Sequence, residues 1–120
     1  MEIGGTAVER GERRRMEIPV ARLATGNLLS LPVEVLRGTS PGPRIWLSGA
    51  VHGDEVVGVE IIRRVMERLE PGAVSGDVIS VPIVNVFGFI NESRYLPDRR
   101  DLNRAFPGRE DGSLASRLAH

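Results

Sequence analysis

A histidine and a glutamate stand three residues apart in the run His52-Gly53-Asp54-Glu55. An imidazole nitrogen and a carboxylate oxygen at this spacing can both bind one divalent cation when the chain turns sharply between them. A catalytic zinc site takes three protein ligands and a water, so the pair supplies a large part of such a site. A plainer interpretation also fits, in which Asp54 and Glu55 favour a helix N-terminus and His52 is an ordinary loop residue.

A second group of polar residues follows in Arg94-Tyr95 and in the run from Asp101 to Gly108. Asn103 and Arg104 place an amide and a forked guanidinium beside the rigid turn of Pro107-Gly108, as recognition of a carboxylate requires. The plainer alternative is that the other arginines of this region are solvated and pair weakly with neighbouring carboxylates. The residues concerned are Arg99, Arg100, Arg109, Asp98 and Asp101.

Composition limits the classes of protein and the chemistry. A chain of 120 residues forms at most one domain, and the 41% of apolar residues is an ordinary globular value. Sixteen basic and 16 acidic residues cancel, which argues against nucleic-acid and membrane-surface partners. Without cysteine, any metal must be held by His, Asp or Glu. The chain shows no signal peptide and no apolar run of about 18 residues, so a cytoplasmic location is expected.

The first half of the chain predicts a β-hairpin. Residues 1–13 are polar and contain glycines, which indicates a loose lead-in, although Met1 to Ile3 can pair as an edge. Apolar residues alternate over residues 14–23 and again over 30–37, and Gly26-Asn27 between them is a turn signal. Residues 38–43 predict a loop.

The second half predicts a strand–helix–strand unit. Ile45 to Val51 indicates a strand buried on both faces, and Val78 to Val86 a further strand. Between them, Asp54 is a candidate N-cap and Pro71-Gly72 ends the helix. The predicted core face of that helix consists of Val57, Ile61, Ile62, Val65 and Leu69.

This order predicts a right-handed crossover, and hence an α/β fold with a mixed sheet flanked by helices. Residues 87–112 show no helical or strand period, and a long ordered loop of this kind is usually functional. Ser113 is a candidate cap for a last helix from Leu114 to His120. Ligands of such sheets bind beyond the carboxyl ends of strands. His52 follows one strand and the Asn103-Arg104 loop follows the next, so both should lie at the same edge.

Together, the runs GAVHGDEVVG and RYLPDRRDLNRAFPG resemble the succinylglutamate desuccinylase/aspartoacylase family of the zinc carboxypeptidase-like superfamily. The resemblance extends from about Pro43 to His120. It implies a zinc-carboxypeptidase-like fold and one zinc ion, with His52 and Glu55 as the first two metal ligands. It also implies that Asn103 and Arg104 bind the substrate carboxylate.

By the same resemblance, Arg94 helps to bind or polarise the scissile carbonyl and Asp101 is a supporting residue. The family's third ligand, a histidine in an Asp-x-His-Thr-like stretch, and its catalytic glutamate have no counterpart here. His120 is the only other histidine. The segment around it resembles the family's helix before the ligand strand, so His120 is not expected to be a ligand. Residues 1–120 are therefore expected to form the N-terminal portion of a single catalytic domain, inactive by itself.

The activity that the resemblance implies is zinc-dependent hydrolysis of the amide bond in an N-acyl amino acid or a similar small carboxylate. Two alternatives stay open. One is a metallocarboxypeptidase acting on peptides, and the other is a non-catalytic fragment that binds a small anion or another chain. Homo-oligomerisation also stays open.

Overall fold

The computed structural model describes all 120 residues, from Met1 to His120. Its six strands are β1 (Glu2–Ile3), β2 (Thr6–Ala7), β3 (Arg13–Arg22), β4 (Leu28–Arg37), β5 (Ser40–Ser48) and β6 (Ser75–Val81). Its three α-helices are α1 (Val57–Arg68), α2 (Val86–Ile90) and α3 (Leu114–Ala119). Short 3-10 turns lie at Pro71–Ala73 and Leu102–Arg104.

The main sheet has four strands in the order β3-β4-β6-β5. Strands β3 and β4 are antiparallel, as are β4 and β6, whereas β5 and β6 are parallel. The parallel pair is connected through α1, so the predicted strand–helix–strand unit and the mixed sheet are confirmed. Strands β1 and β2 pair only with each other, which gives the lead-in more order than the sequence indicates.

The predicted hairpin is confirmed nearly residue for residue. Met16 lies opposite Val33, and Ile18 lies opposite Leu31. The turn is closed by the Leu23 N–H, which donates to the Asn27 carbonyl at 2.8 Å. The predicted loop at 38–43 is partly wrong, because β5 begins at Ser40, which pairs with Ser75 before an irregularity leads to the Arg44–Asp77 pair.

Both faces of the sheet are covered by apolar side chains. On one face, Leu36 and Val78 form a cluster with Ile62 and Met66 of α1. On the other face, the strands pack against α3 and the loops after β6 through a larger cluster. Its buried members are Val8, Val33, Val35, Ile79, Val81, Val84, Leu96, Leu102, Ala115 and Leu118.

Helix α1 begins later and faces the sheet differently than predicted. Its first residue is Val57, and Asp54 is not its cap, because residues 52–55 form a tight turn in which the Glu55 N–H donates to the His52 carbonyl. Ile62 and Met66 are buried, whereas Val57, Ile61 and Val65 are exposed. The helix carries two apolar stripes, and the stripe that lies over β4 and β6 is the buried one.

Both strands of the parallel pair differ from their predictions. β5 is an edge strand whose Ile45 and Trp46 are exposed, so it is not buried on both faces. β6 ends at Val81 instead of Val86, because Pro82 has no N–H for a ladder and Asn85 begins α2 by accepting from the Gly88 N–H. Two short helical elements therefore fall within or beside the segment predicted to have none.

The last helix is confirmed with its cap. The Ser113 hydroxyl accepts from the Ser116 N–H at 3.3 Å, and the helix runs from Leu114 to Ala119. The carboxylate of Asp98 accepts from the Ala115 N–H at 3.0 Å, which ties the loop after α2 to this helix. None of the helices combines the length and the apolar character needed to cross a membrane.

At the end of the sheet away from His52, one buried carboxylate binds three arginines. Asp77 lies 3.2 Å from Arg37, 3.4 Å from Arg44 and 3.8 Å from Arg10. Burial raises the pKa of Asp77, but the hydrogen bonds and charges of the three guanidiniums outweigh it and hold the pKa below its ordinary value. The carboxylate thereby joins β4, β5 and β6.

We expect Asp77→Asn to lower the free energy of unfolding by roughly 2–3 kcal/mol, because it leaves guanidiniums facing a neutral amide. The pKa of Asp77 is lowered on folding, so its contribution is present above the unfolded-state pKa of about 4 and is lost as pH falls through the folded-state value. Urea unfolding at low protein concentration should show that the difference in free energy of unfolding between parent and variant becomes smaller in acid. Glu60, which pairs with Arg63 and Arg64 on the solvent side of α1, is changed to Gln as the control, and this change should lower stability much less. A gap that does not change with pH would contradict this account.

The exposed apolar residues predict association of the 120-residue chain. Ile45 and Trp46 lie on an unpaired edge strand, and Val57, Ile61 and Val65 form an uncovered stripe on α1. Such edges and patches favour contact between copies. Sedimentation should show concentration-dependent association that Trp46→Lys reduces. A monomer at all concentrations that binds no hydrophobic dye would show this expectation to be wrong.

Candidate functional site

His52 is held in the turn that connects β5 to α1. Its side chain is largely buried, and the preceding Ala50 has a positive φ of 49°, a conformation that costs a non-glycine residue roughly 1–2 kcal/mol. Gly53 lies so close to α2 that a Cβ would come within 2.1 Å of the Gly88 carbonyl carbon. Only glycine fits there, and its lack of a Cβ allows the His52 turn to lie directly against α2.

The imidazole of His52 lies between two carboxylates. Its Nε2 is 2.8 Å from Asp101 Oδ1, and its Nδ1 is 3.1 Å from Glu55 Oε1. An ionised carboxylate has no proton to give, so Nε2–H donates to Asp101. In the neutral ring, the Nδ1 lone pair then faces the Glu55 oxygen. Two acceptors at this distance require a proton or a cation between them.

This geometry fits a metal ion at Nδ1 and Oε1. Tetrahedral zinc with bond lengths of about 2.1 Å holds two ligand atoms about 3.4 Å apart, close to the observed separation. A histidine ligand commonly donates its other ring N–H to a carboxylate, which is the role open to Asp101. No group of three or more His, Asp or Glu side chains in this chain is arranged to hold a metal, so the arrangement offers two ligand atoms, one from His52 and one from Glu55.

Asp101 connects this pair to the arginine-bearing loop. Its Oδ1 also accepts from the Asn103 N–H at 3.0 Å, which begins the 3-10 turn Leu102–Arg104. The hydrogen bond from His52 is the largest influence lowering the pKa of Asp101. Partial burial opposes it, and the Asn103 N–H and the charges of His52 and Arg94 add to the lowering. The carboxylate is therefore ionised at neutral pH.

Arg94 is the arginine that reaches the two carboxylates. Its guanidinium lies 3.6 Å from Glu55 Oε1 and 3.9 Å from Asp101 Oδ2, and its Cζ is 5.9 Å from the centroid of the Tyr95 ring. The nearby Arg99 and Arg100 form no ion pair with Glu55 or Asp101: Arg100 lies 4.0 Å from Asp98, and Arg99 is exposed with a positive φ. The geometry thus separates Arg94 from its neighbours, which spacing alone does not.

The predicted carboxylate-binding pair is connected to His52 only through Asp101. Asn103 and Arg104 are exposed, and the Arg104 guanidinium has no carboxylate partner within 4.0 Å. Arg104 lines a cleft of about 350 Å³, and Asn103 is not part of this lining. The other lining residues are Arg100, Asp101, Ala105, Ser113 and Ser116. The cleft is positively charged and touches the His52 network at Asp101.

Two further features complete the description of the site. A cleft of about 810 Å³ lies over β3, β4 and α1 and contains none of the candidate residues. His120 lines a third cleft beside β3, again without any of the candidate residues. Sequence reasoning missed Asn85, which is fully buried beneath the His52 turn. A single polar residue between Val84 and Val86, at the end of an apolar run, was the available signal.

Comparison with known proteins identifies the family. A profile described as the succinylglutamate desuccinylase/aspartoacylase catalytic domain matches residues 41–120. A curated N-alpha-acetyl-L-2,4-diaminobutyric acid deacetylase from Halomonas elongata is 38% identical over 90 residues, which are 74% of this chain and 26% of that protein.

Solved structures agree with this match. A succinylglutamate desuccinylase/aspartoacylase from Rhodobacter sphaeroides superposes with a TM-score of 0.83 at 34% identity, covering 96% of this chain and 37% of that one. The product-bound ectoine utilization protein EutE (DoeB) from Ruegeria pomeroyi gives 0.82 at 30% identity, covering 95% and 36%. The chain thus spans between about a quarter and just over a third of the length of these relatives.

With two ligands, the 120-residue chain should bind zinc weakly, since water must fill the rest of the coordination shell. We expect a dissociation constant orders of magnitude above that of a three-ligand site. Calorimetry should show that His52→Ala and Glu55→Ala each abolish the remaining binding, whereas His120→Ala leaves it unchanged. Submicromolar binding that survives the first two substitutions would show that the ligands lie elsewhere.

Proposed function

Because the chain belongs to the succinylglutamate desuccinylase/aspartoacylase family, we propose that the protein carrying it is a zinc-dependent deacylase acting on N-acyl amino acids. The observation that carries the proposal is the His52 ring, with Nε2 on Asp101 and Nδ1 against Glu55. This arrangement lies beyond the carboxyl end of β5, where ligands of such sheets bind.

His52 and Glu55 would hold the zinc ion through Nδ1 and Oε1. When bound, zinc supplies a Lewis acid that activates water and polarises a carbonyl. Asp101 fixes the His52 tautomer by accepting from Nε2–H, so that the Nδ1 lone pair is free to bind metal. The hydrogen bond also holds the ring at the angle at which this lone pair points toward Glu55.

Arg94 is placed to stabilise the negative charge that develops on the amide oxygen during hydrolysis. Its contacts with Glu55 and Asp101 are longer than hydrogen bonds, so its N–H donors are not fully engaged. A preorganised guanidinium aimed at developing charge is an effective oxyanion stabiliser.

Arg104 supplies recognition of the substrate carboxylate in this proposal. It is exposed in a positively charged cleft, has no ion-pair partner in the chain, and adjoins the metal ligands through Asp101. Binding of the carboxylate there, with Asn103 on the same turn, would fix the distance between the substrate's charged end and its scissile amide.

The proposal is tested on the full reading frame that contains this sequence. Hydrolysis of N-acetylated amino acids should be lost on chelation and restored by zinc, and unacylated peptides with a free C-terminus should be poor substrates. Faster cleavage of such peptides would favour a carboxypeptidase. Absence of metal-dependent hydrolysis of either class would leave only the binding alternative.

Arg104→Lys should keep the charge of the cleft but lose the bidentate fork. Loss of one charge-assisted contact costs roughly 1.5–3 kcal/mol, or about ten- to a hundredfold in kcat/KM. The penalty should shrink for a substrate whose carboxylate is replaced by an amide. Arg109 is an exposed arginine paired with Asp111, so Arg109→Lys is the matched control and should change kcat/KM little. If both substrates lost rate equally with Arg104→Lys, the residue would not read the carboxylate.

A further inference from the structure

We propose that Asn85 is a positioning residue of this site, one that holds the His52 turn and Arg94 in a single arrangement. The inference rests on the proposed function for its catalytic consequence. Its structural basis is independent of that function, since it follows from hydrogen bonds within the chain.

The Asn85 side chain is fully buried and uses both ends of its amide. Oδ1 accepts from the Gly88 N–H at 2.9 Å, which caps α2. Nδ2 donates to two carbonyls, that of Val51 at 3.3 Å and that of Arg94 at 3.4 Å. The two carbonyls belong to the residue before His52 and to the candidate oxyanion stabiliser.

These bonds belong to a closed circuit around His52. The Gly53 N–H donates to the same Arg94 carbonyl at 3.4 Å, and the Asn85 N–H donates to the Ala50 carbonyl at 3.0 Å. Hydrogen bonds therefore fix the residues on both sides of His52. Val51 is bound to Asn85, and Gly53 is bound to Arg94. The spacing between the metal-ligand turn and Arg94 depends on one amide that donates to both.

The donor role can be separated from the capping role. Asn and Asp are about equally good helix caps, so Asn85→Asp keeps an acceptor for the Gly88 N–H. It removes both N–H donors and turns carboxylate oxygens toward two carbonyls. Asn85→Ser also keeps a capping acceptor, adds no charge, and is too short to bridge both carbonyls.

Neither substitution directly affects the residues proposed to bind the substrate carboxylate. Arg104 and Asn103 lie on the turn fixed by Asp101, outside the Asn85 circuit. Misplacement of His52 and Arg94 should therefore reduce metal affinity and kcat, whereas KM should change little. A purely structural role predicts loss of stability without this selectivity.

The test uses the full reading frame with three variants, Asn85→Asp, Asn85→Ser and Val35→Ala. Val35 is fully buried in β4 and serves as a destabilising control remote from the turn. Cobalt(II) affinity is measured by its absorption bands, alongside thermal stability, kcat and KM at a temperature where all variants are folded. Both Asn85 variants should weaken cobalt binding and lower kcat by about 10- to 100-fold, as loss of outer-shell support does. KM should stay within about threefold.

Val35→Ala should lower thermal stability comparably while leaving cobalt affinity and kcat near those of the parent. Cobalt affinity and kcat unchanged in the Asn85 variants, or reduced equally in Val35→Ala, would overturn the inference. If Asn85→Asp does not fold, Asn85→Ser carries the comparison. If the parent shows no metal-dependent hydrolysis, the proposed function fails, and cobalt affinity alone still decides the role of Asn85.

Discussion

One carboxylate oxygen joins the two halves of the site. Asp101 Oδ1 accepts from the His52 ring and from the Asn103 N–H, although His52 and Asp101 are 49 residues apart. The same atom thus sets the orientation of a candidate metal ligand and begins the turn that carries Arg104. A displacement of the loop would change both, so the position of Arg104 and the direction of the His52 lone pair are coupled by a single hydrogen-bond acceptor.

The close approach of two backbones makes that arrangement rigid. Gly53 has no space for a Cβ against Gly88. The buried Asn85 side chain links the two segments, because it accepts from the Gly88 N–H and donates to the Val51 carbonyl. Buried polar groups without partners are costly, and here every buried side-chain polar atom has a partner. The turn around His52 is therefore held by donors and acceptors that lie within the chain, before any ligand binds. Such preorganisation is what a catalytic site requires of its supporting residues.

Sequence patterns predicted the elements whose identity depends on local signals. The β3–β4 hairpin follows from alternation, the α3 cap from Ser113, and the placement of His52 and the Asn103-Arg104 loop at one edge from the strand–helix–strand order. Features that depend on tertiary packing were predicted wrongly. Periodicity cannot say which apolar stripe of α1 lies over the sheet, nor that β5 is an edge strand with Trp46 exposed. Asn85 was missed for the same reason, because its importance lies in carbonyls of distant residues.

The Arg94 guanidinium makes no short contact with the two carboxylates beside it. Glu55 Oε1 faces both His52 Nδ1 and the Arg94 guanidinium, at 3.1 and 3.6 Å. A cation shared between His52 and Glu55 would compete with Arg94 for this oxygen. Arg94 lies 3.9 Å from Asp101 Oδ2, whereas the two N–H donors that bind Asp101 both bind Oδ1. The guanidinium therefore lies beside both carboxylates and over the Tyr95 ring, and its N–H donors make no short hydrogen bond to either carboxylate.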